Sequence, residues 1–173
     1  MKLEKVSLNP PEGLRAFLAD LGDGENGFSG TTVHKGEMSL EEYLQICCDM
    51  TDESKLKPGL VPQTVFWLLN SESKVIGMVK VRHLLNENTR INGGHIGFYI
   101  HPSDRGKGYG KQALSLALDE LKKIGVSEAL VTVYPRNKAS IRIVESNGGI
   151  YSDTVFDSRT EQQINRYWVN LKP

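Results

Sequence analysis

The sequence predicts an α+β fold built on a mixed, mostly antiparallel sheet, and three observations predict it. Thr64 to Asn70, Lys74 to Leu84 and Gly94 to Ile100 are β-rich stretches separated only by turns, so neighbours pair antiparallel. After them Ala113, Leu114, Ala117, Leu118, Leu121 and Ile124 recur at helical spacing, and the strand Glu128 to Tyr134 follows. A helical crossover makes that strand parallel to the one before it. The junction between the third strand and the helix is Arg105-Gly106-Lys107-Gly108-Tyr109-Gly110-Lys111, a glycine-rich turn with three cations.

Taken in order, Leu3 to Leu8 reads as a short first strand, followed by Pro10-Pro11 and a helical run from Glu12 to Leu21. Gly22 to Gly27 is a flexible connection, and Phe28 beyond it is either an anchor for that loop or part of a substrate pocket. Ser39 and Glu42 form a capping box that opens a helix to about Asp49, with Leu40, Tyr43, Leu44 and Cys47 on one side. Pro58, Gly59 and Pro62 break the chain before the hairpin joined by Ser71-Glu72-Ser73, and Asn86 to Gly94 is rich in turn residues. Pro102 closes the third strand; Lys122, Lys123 and Gly125 close the crossover helix. Asn137 is an N-cap for a helix carrying Ile141, Val144 and Glu145, which ends at Asn147-Gly148-Gly149. Tyr151 to Phe156 and Ile164 to Leu171 make a closing hairpin whose edge could serve a homodimer.

A chain of 173 residues is expected to be one domain, 1–173, able to bury a core without disulfides or metals. Formal net charge is zero, with 21 basic and 21 acidic residues, so nothing directs the chain to nucleic acid or an anionic membrane. There is no apolar run of membrane-spanning length, and Met1 to Pro10 lacks the apolar core of a signal peptide, so a cytoplasmic protein is expected. Cys47 and Cys48 are adjacent and without a zinc-ligand pattern; they read as core thiols, and no metal is implied.

A glycine-rich turn that feeds a helix exposes backbone N–H groups where the helix dipole is positive, which suits phosphate. The spacing fits neither G-x-x-x-x-G-K-[ST] nor G-x-G-x-x-G, leaving Arg-x-x-Gly-x-Gly after a strand. That pattern resembles the coenzyme A pyrophosphate loop of the GCN5-related N-acetyltransferase (GNAT) superfamily. Asn137-Lys138-Ala139-Ser140 followed by Asn147-Gly148-Gly149 is similar to the same superfamily's Asn-x-x-Ser/Ala helix. Arg82 to Asn86 and Gly93 to Gly97 further resemble a bacterial group of predicted acetyltransferases with unassigned acceptors.

The resemblance implies a sheet with helices on both faces and a splay between its two central parallel strands. It implies acetyl-CoA as co-substrate, a small-molecule or peptide amine as acceptor, and direct attack in a ternary complex. A catalytically idle acyl-CoA sensor is the alternative. Position by position, the backbone of Phe98, Tyr99 and Ile100 would pair with the pantetheine arm. Arg105, Gly106, Lys107, Gly108, Tyr109, Gly110 and Lys111 would bind the pyrophosphate, and Asn137 and Ser140 would touch the arm from the other side.

The tyrosine that protonates the leaving thiolate in many relatives aligns with Val144, so Tyr134 at the end of the second parallel strand is the candidate acid, or else a strand-end aromatic. His95, at the start of the central strand, is either the base or a histidine bonded to the backbone. His83 reads as a structural partner. Glu145 and Arg142 read as solvated or helix-pairing charges.

Overall fold

The computed structural model describes residues 1–172. Strand β1 (Lys2–Lys5) pairs antiparallel with β4 (Gln63–Leu69), β4 with β5 (Val75–Arg82), and β5 with β6 (Ile96–Ile100), giving a four-stranded sheet in the order β1-β4-β5-β6. The crossover helix α4 (Tyr109–Lys123) leads to β7 (Glu128–Val133), which pairs with β9 (Gln162–Asn170) in a second sheet of order β7-β9-β8, where β8 is Ile150–Asp157. The two sheets are therefore open between β6 and β7. This is the predicted α+β arrangement with its splay.

Alternation along β5 and β6 divides the core in two. Val79, Val81, Ile96 and Ile100 pack with Ala113, Leu114, Ala117 and Leu121 of α4 on one face. On the other, Trp67, Met78 and Tyr99 pack with Leu14, Phe17 and Leu18 of α1 (Leu14–Leu21) and with Leu40, Leu44 and Cys47 of α2 (Leu40–Asp49). The predicted Ser39–Glu42 capping box is present in both directions at the start of α2.

Four local expectations are corrected. The first strand stops at Lys5, with only the Val6 N–H continuing to Val65, and Leu8 lies exposed. Ile124, placed in the apolar stripe of α4, is the half-exposed C-cap. The connection after α1 is a small hairpin, β2 (Gly24–Glu25) on β3 (Phe28–Ser29). Asn26 and Gly27 both take positive φ, the Asn-Gly turn that a two-residue hairpin demands. The turn-rich stretch before β6 contains a short helix, α3 (Glu87–Ile91), capped by Asn86 and Thr89. Its end is stapled to β8 by Asp157, a buried carboxylate that accepts from Arg159, Thr160 and Asn92.

Candidate active site

The register of β6 decides what its backbone can offer. Arg82 N–H donates to His95 O at 2.7 Å and His101 N–H to Ile76 O at 2.9 Å, with Lys80 opposite Gly97 and Met78 opposite Tyr99. In an antiparallel ladder Gly97 and Tyr99 spend both N–H and C=O on β5, while His95 spends its C=O there and His101 its N–H. Ile96, Phe98 and Ile100 consequently turn theirs toward the gap. Tyr99, expected to pair with a coenzyme arm through its backbone, is turned the other way, and its ring packs against Phe17 and Phe28.

The gap widens into a cavity of about 570 Å³ lined by β6, the C-terminal half of β7, the glycine loop, the helix α5 (Lys138–Glu145) and the β2–β3 hairpin. At one end the approach to β6 is tied to β7 by Gly93, whose N–H donates to Thr132 Oγ1 at 2.9 Å, and by His95. His95 N–H donates to Leu130 O at 2.8 Å, and the His95 Nδ1 accepts the Leu130 N–H at 2.9 Å. A ring nitrogen that accepts must be unprotonated, so the proton of neutral His95 sits on Nε2. Burial, with Arg90 and Arg82 nearby, lowers its pKa to about 4. His95 is buried and does not line the cavity. Its assignment as a base is corrected on these grounds, because its one free lone pair is already occupied by the backbone of β7.

The glycine loop sits at one mouth. Gly106 and Gly108 have φ of 78° and 82°, and Gly108 is the residue from which α4 starts. A Cβ on either would meet no atom within 4 Å, so the surface of the loop is open. Gly110 differs, since a Cβ there would stand 2.7 Å from Ile143 Cδ1 of α5 and 3.7 Å from the Phe98 ring. The N–H groups of the first helical turn have no acceptor within the helix. Tyr109, Gly110 and Lys111 line the cavity beside them.

Two cations of the loop are committed elsewhere. Arg105 donates through Nε to Ile100 O at 3.0 Å and through Nη2 to Glu25, pinning the β2–β3 hairpin to the loop. Lys107 pairs with Asp104 at 3.0 Å and lies outside the cavity lining.

Across the cavity, Asn137 Oδ1 accepts Ser140 N–H at 3.1 Å as the cap of α5, and both residues line the cavity together with Ile143. Val144 is fully buried in the α4-side core and does not reach the cavity. Tyr134, one residue past β7, does line it, with its ring against Gly27 and under the Arg136 guanidinium at 4.9 Å. His83 bonds Thr64 Oγ1 at 2.8 Å, in keeping with a structural partner. Burial raises the Cys47 thiol to about 11, as suits a core residue.

The hairpin contributes Glu25 and Gly27, which the sequence reading left out of the site, and Phe28, which it gave as a loop anchor or part of a substrate pocket. Glu25 and Gly27 line the cavity, as does Phe28, whose ring lies beneath the Lys80 ammonium at 4.4 Å. Lys80 and Arg82 share the hairpin-facing side of β5 and also line it. The Asn26-Gly27 pair was the available signal for the hairpin. Only the strand register could bring Lys80 and Arg82 to it.

A mixed sheet opened between two crossover-linked strands, with a glycine loop at the mouth, defines the acyltransferase class of α+β folds. Residues 25–150 match the model of the acetyltransferase (GNAT) domain, and the chain belongs to that family. The GNAT-family acetyltransferase from Streptococcus pneumoniae superposes with a TM-score of 0.66 at 14% identity, covering 99% of each chain. A spermidine N-acetyltransferase SpeG chimera from Vibrio cholerae and hSSAT gives 0.65 at 16%, covering 99% of this chain and 96% of that one. The yncA protein from Salmonella typhimurium, solved with its cofactor acetyl-CoA, gives 0.64 at 15%, over 100% and 95% of the two chains. These likenesses concern the fold. In sequence, the chain is 38% identical over 50 residues to the L-methionine sulfoximine/L-methionine sulfone acetyltransferase of Salmonella typhimurium, a match that spans 29% of each protein. Among the described residues no helix is long and apolar enough to cross a membrane.

Proposed function

We propose that this protein transfers an acetyl group from acetyl-CoA to a primary amine of a small molecule or peptide, by direct attack in a ternary complex. The observation that carries it is the unpaired inner edge of β6, with Phe98 and Ile100 facing a cavity whose mouth is an open glycine loop. A coenzyme arm running along that edge would complete the ladder as an added strand, and its amides would satisfy backbone groups otherwise left without partners. The Ile100 carbonyl, already accepting from Arg105, leaves the Phe98 N–H and C=O and the Ile100 N–H for the arm.

The pyrophosphate belongs at the first turn of α4, where backbone N–H groups and the dipole favour anions. Lys111 supplies the nearby charge. Asn137 and Ser140 face the arm from α5. In the chemical step the amine nitrogen attacks the thioester carbon, the C–N bond forms and the C–S bond breaks. Cleft-facing N–H groups of β6 hold the oxyanion. The amine's proton passes to water in the cleft, and the Tyr134 hydroxyl gives its proton to the departing thiolate and recovers one from solvent. His95 serves as the pivot of the splay.

The buried Val144, which removes the usual acid position from the cleft, favours one second reading: an acyl-CoA sensor without turnover. A thiol-release assay with acetyl-CoA and a panel of amines, preceded by a thermal-shift measurement of coenzyme binding, separates the two. Release of CoA with an amine supports the transferase. Binding without release from any amine supports the sensor, and absence of binding defeats both.

A further inference from the structure

The half of the cavity away from the glycine loop has an unbalanced charge. Its cations are Lys80 and Arg82, two residues apart on β5 and on one face of the strand. Lys80 Nζ donates to the Ser29 carbonyl at 3.2 Å and rests on the Phe28 ring. Arg82 donates through Nη1 alone, to Gly93 O at 2.9 Å and Gly94 O at 3.1 Å. An ammonium has three donors and a guanidinium five, so both retain capacity.

The two carboxylates that line the cavity are spent. Glu25 is paired with Arg105, and Asp104 with Lys107. Among the described residues no Asp or Glu lies within ion-pair distance of Lys80 or Arg82. Both side chains are half-buried, and burial lowers both pKa values, that of Lys80 to about 8 with the nearby Arg82 charge acting in the same direction.

We infer that Lys80 and Arg82 form an anion subsite, and that the amine acceptor also carries an anionic group, a carboxylate as in an amino acid or a phosphate. This rests on the transferase reading and names its substrate class. Such a group supplies the missing counter-charge and leaves the amine free to approach the thioester. A polycation such as spermidine meets two like charges at the same place, which costs affinity. Arg82 matches a planar carboxylate with the remaining N–H groups of its fork.

The test is CoA release at saturating acetyl-CoA with matched pairs: ornithine against putrescine, arginine against agmatine, phenylalanine against phenethylamine. Phosphoethanolamine against ethylamine is the phosphate arm, with spermidine as the polycation. The anionic member of at least one pair should have a kcat/KM at least tenfold above its partner lacking the anion, and which arm responds identifies carboxylate or phosphate. Lys80→Gln should raise KM for that acceptor about tenfold with KM for acetyl-CoA unmoved, and Lys80→Arg should restore most of it. Equal or better use of the partners lacking the anion, or of spermidine, overturns the inference. If no amine supports release, the transferase reading fails. Titration of the acetyl-CoA-loaded protein with the same pairs then decides the subsite: selective binding of the anionic members upholds it, and no selectivity overturns it.

Discussion

His95 and Leu130 exchange two hydrogen bonds across the splay, one from backbone to backbone at 2.8 Å and one from the Leu130 N–H to the His95 ring at 2.9 Å. A side chain thus stands in for a strand at the place where the two sheets part. His95→Ala should leave the Leu130 N–H buried and unpartnered, lowering stability by about 2 kcal/mol. The sign of the pH effect follows from a folded pKa near 4, below the ordinary histidine value. Between about pH 6.5 and 4 the unfolded chain binds the extra proton, so this contribution is complete above about 6.5 and lost as pH falls toward 4. Denaturant melts of wild type and mutant across that range would show the difference closing toward pH 4. A mutant of wild-type stability that had lost turnover would return His95 to the role of base.

Much of this was legible in the sequence, and the parts that were not share a cause. The glycine loop, the Asn137 cap, the capping box at Ser39 and the antiparallel neighbours β4-β5-β6 and β8-β9 depend on short-range spacing, and the structure has them where the pattern places them, whereas the pairing of β1 with β4 and of β7 with β9 is long-range. The lone pair of His95, the aim of the Tyr99 backbone and the meeting of Lys80 with Phe28 depend on register between strands far apart in sequence. Alternation places His95 and Tyr99 on one face of a strand, but it does not say which edge of β6 is unpaired. Arg105 read as a phosphate ligand because its partner Glu25 belongs to a hairpin 80 residues earlier.

Tyr134 is the hydroxyl-bearing side chain at the end of β7 that lines the cleft where the thiolate would leave. Tyr134→Phe keeps the ring against Gly27 and removes only the proton donor. Turnover should fall by roughly 100-fold, within the range for loss of a general acid, with acetyl-CoA affinity changed less than about twofold. Steady-state kinetics beside a direct binding titration would check it. A Phe variant as fast as wild type would assign proton delivery to water.

Two loop glycines should fail in different ways. Gly108→Val forces a β-branched residue to a φ of 82° at the start of α4, with open space around it. The strain displaces the first-turn N–H groups and puts methyls over the phosphate surface, so acetyl-CoA affinity should drop at least tenfold. Gly110→Ala instead drives a methyl against Ile143 Cδ1, a flexible side-chain end lying beside the Phe98 ring. Ile143 lines the cavity, so its displacement alters that surface, and this smaller change should still raise KM for acetyl-CoA several-fold while the helix stays intact by circular dichroism. Unchanged coenzyme affinity in both would remove the phosphate assignment.

Asp157 connects stability to the acceptor half of the cleft. Its carboxylate accepts from Arg159 Nε at 2.9 Å, from the Asn92 amide at 2.9 Å and from Thr160 Oγ1 at 3.1 Å. Arg159 first, then Asn92 and Thr160, hold its pKa well below the usual carboxylate range, against the opposing effect of burial. A depressed carboxylate stabilises the fold above its unfolded pKa of about 4 and loses that contribution as pH falls through the folded value. Asp157→Asn should therefore cost about 2–3 kcal/mol near neutrality and flatten the acid limb of the stability curve below pH 4. Asn92 is also the C-cap of α3 and is followed directly by Gly93 and Gly94, whose carbonyls hold Arg82. Releasing Asn92 loosens that support, so the variant should raise KM for the acceptor while KM for acetyl-CoA stays put, since the proposed coenzyme path runs along β6, α4 and α5. A loss confined to stability, with both KM values unchanged, would show that the Gly93-Gly94 turn is held by its own bonds to Thr89 and Thr132.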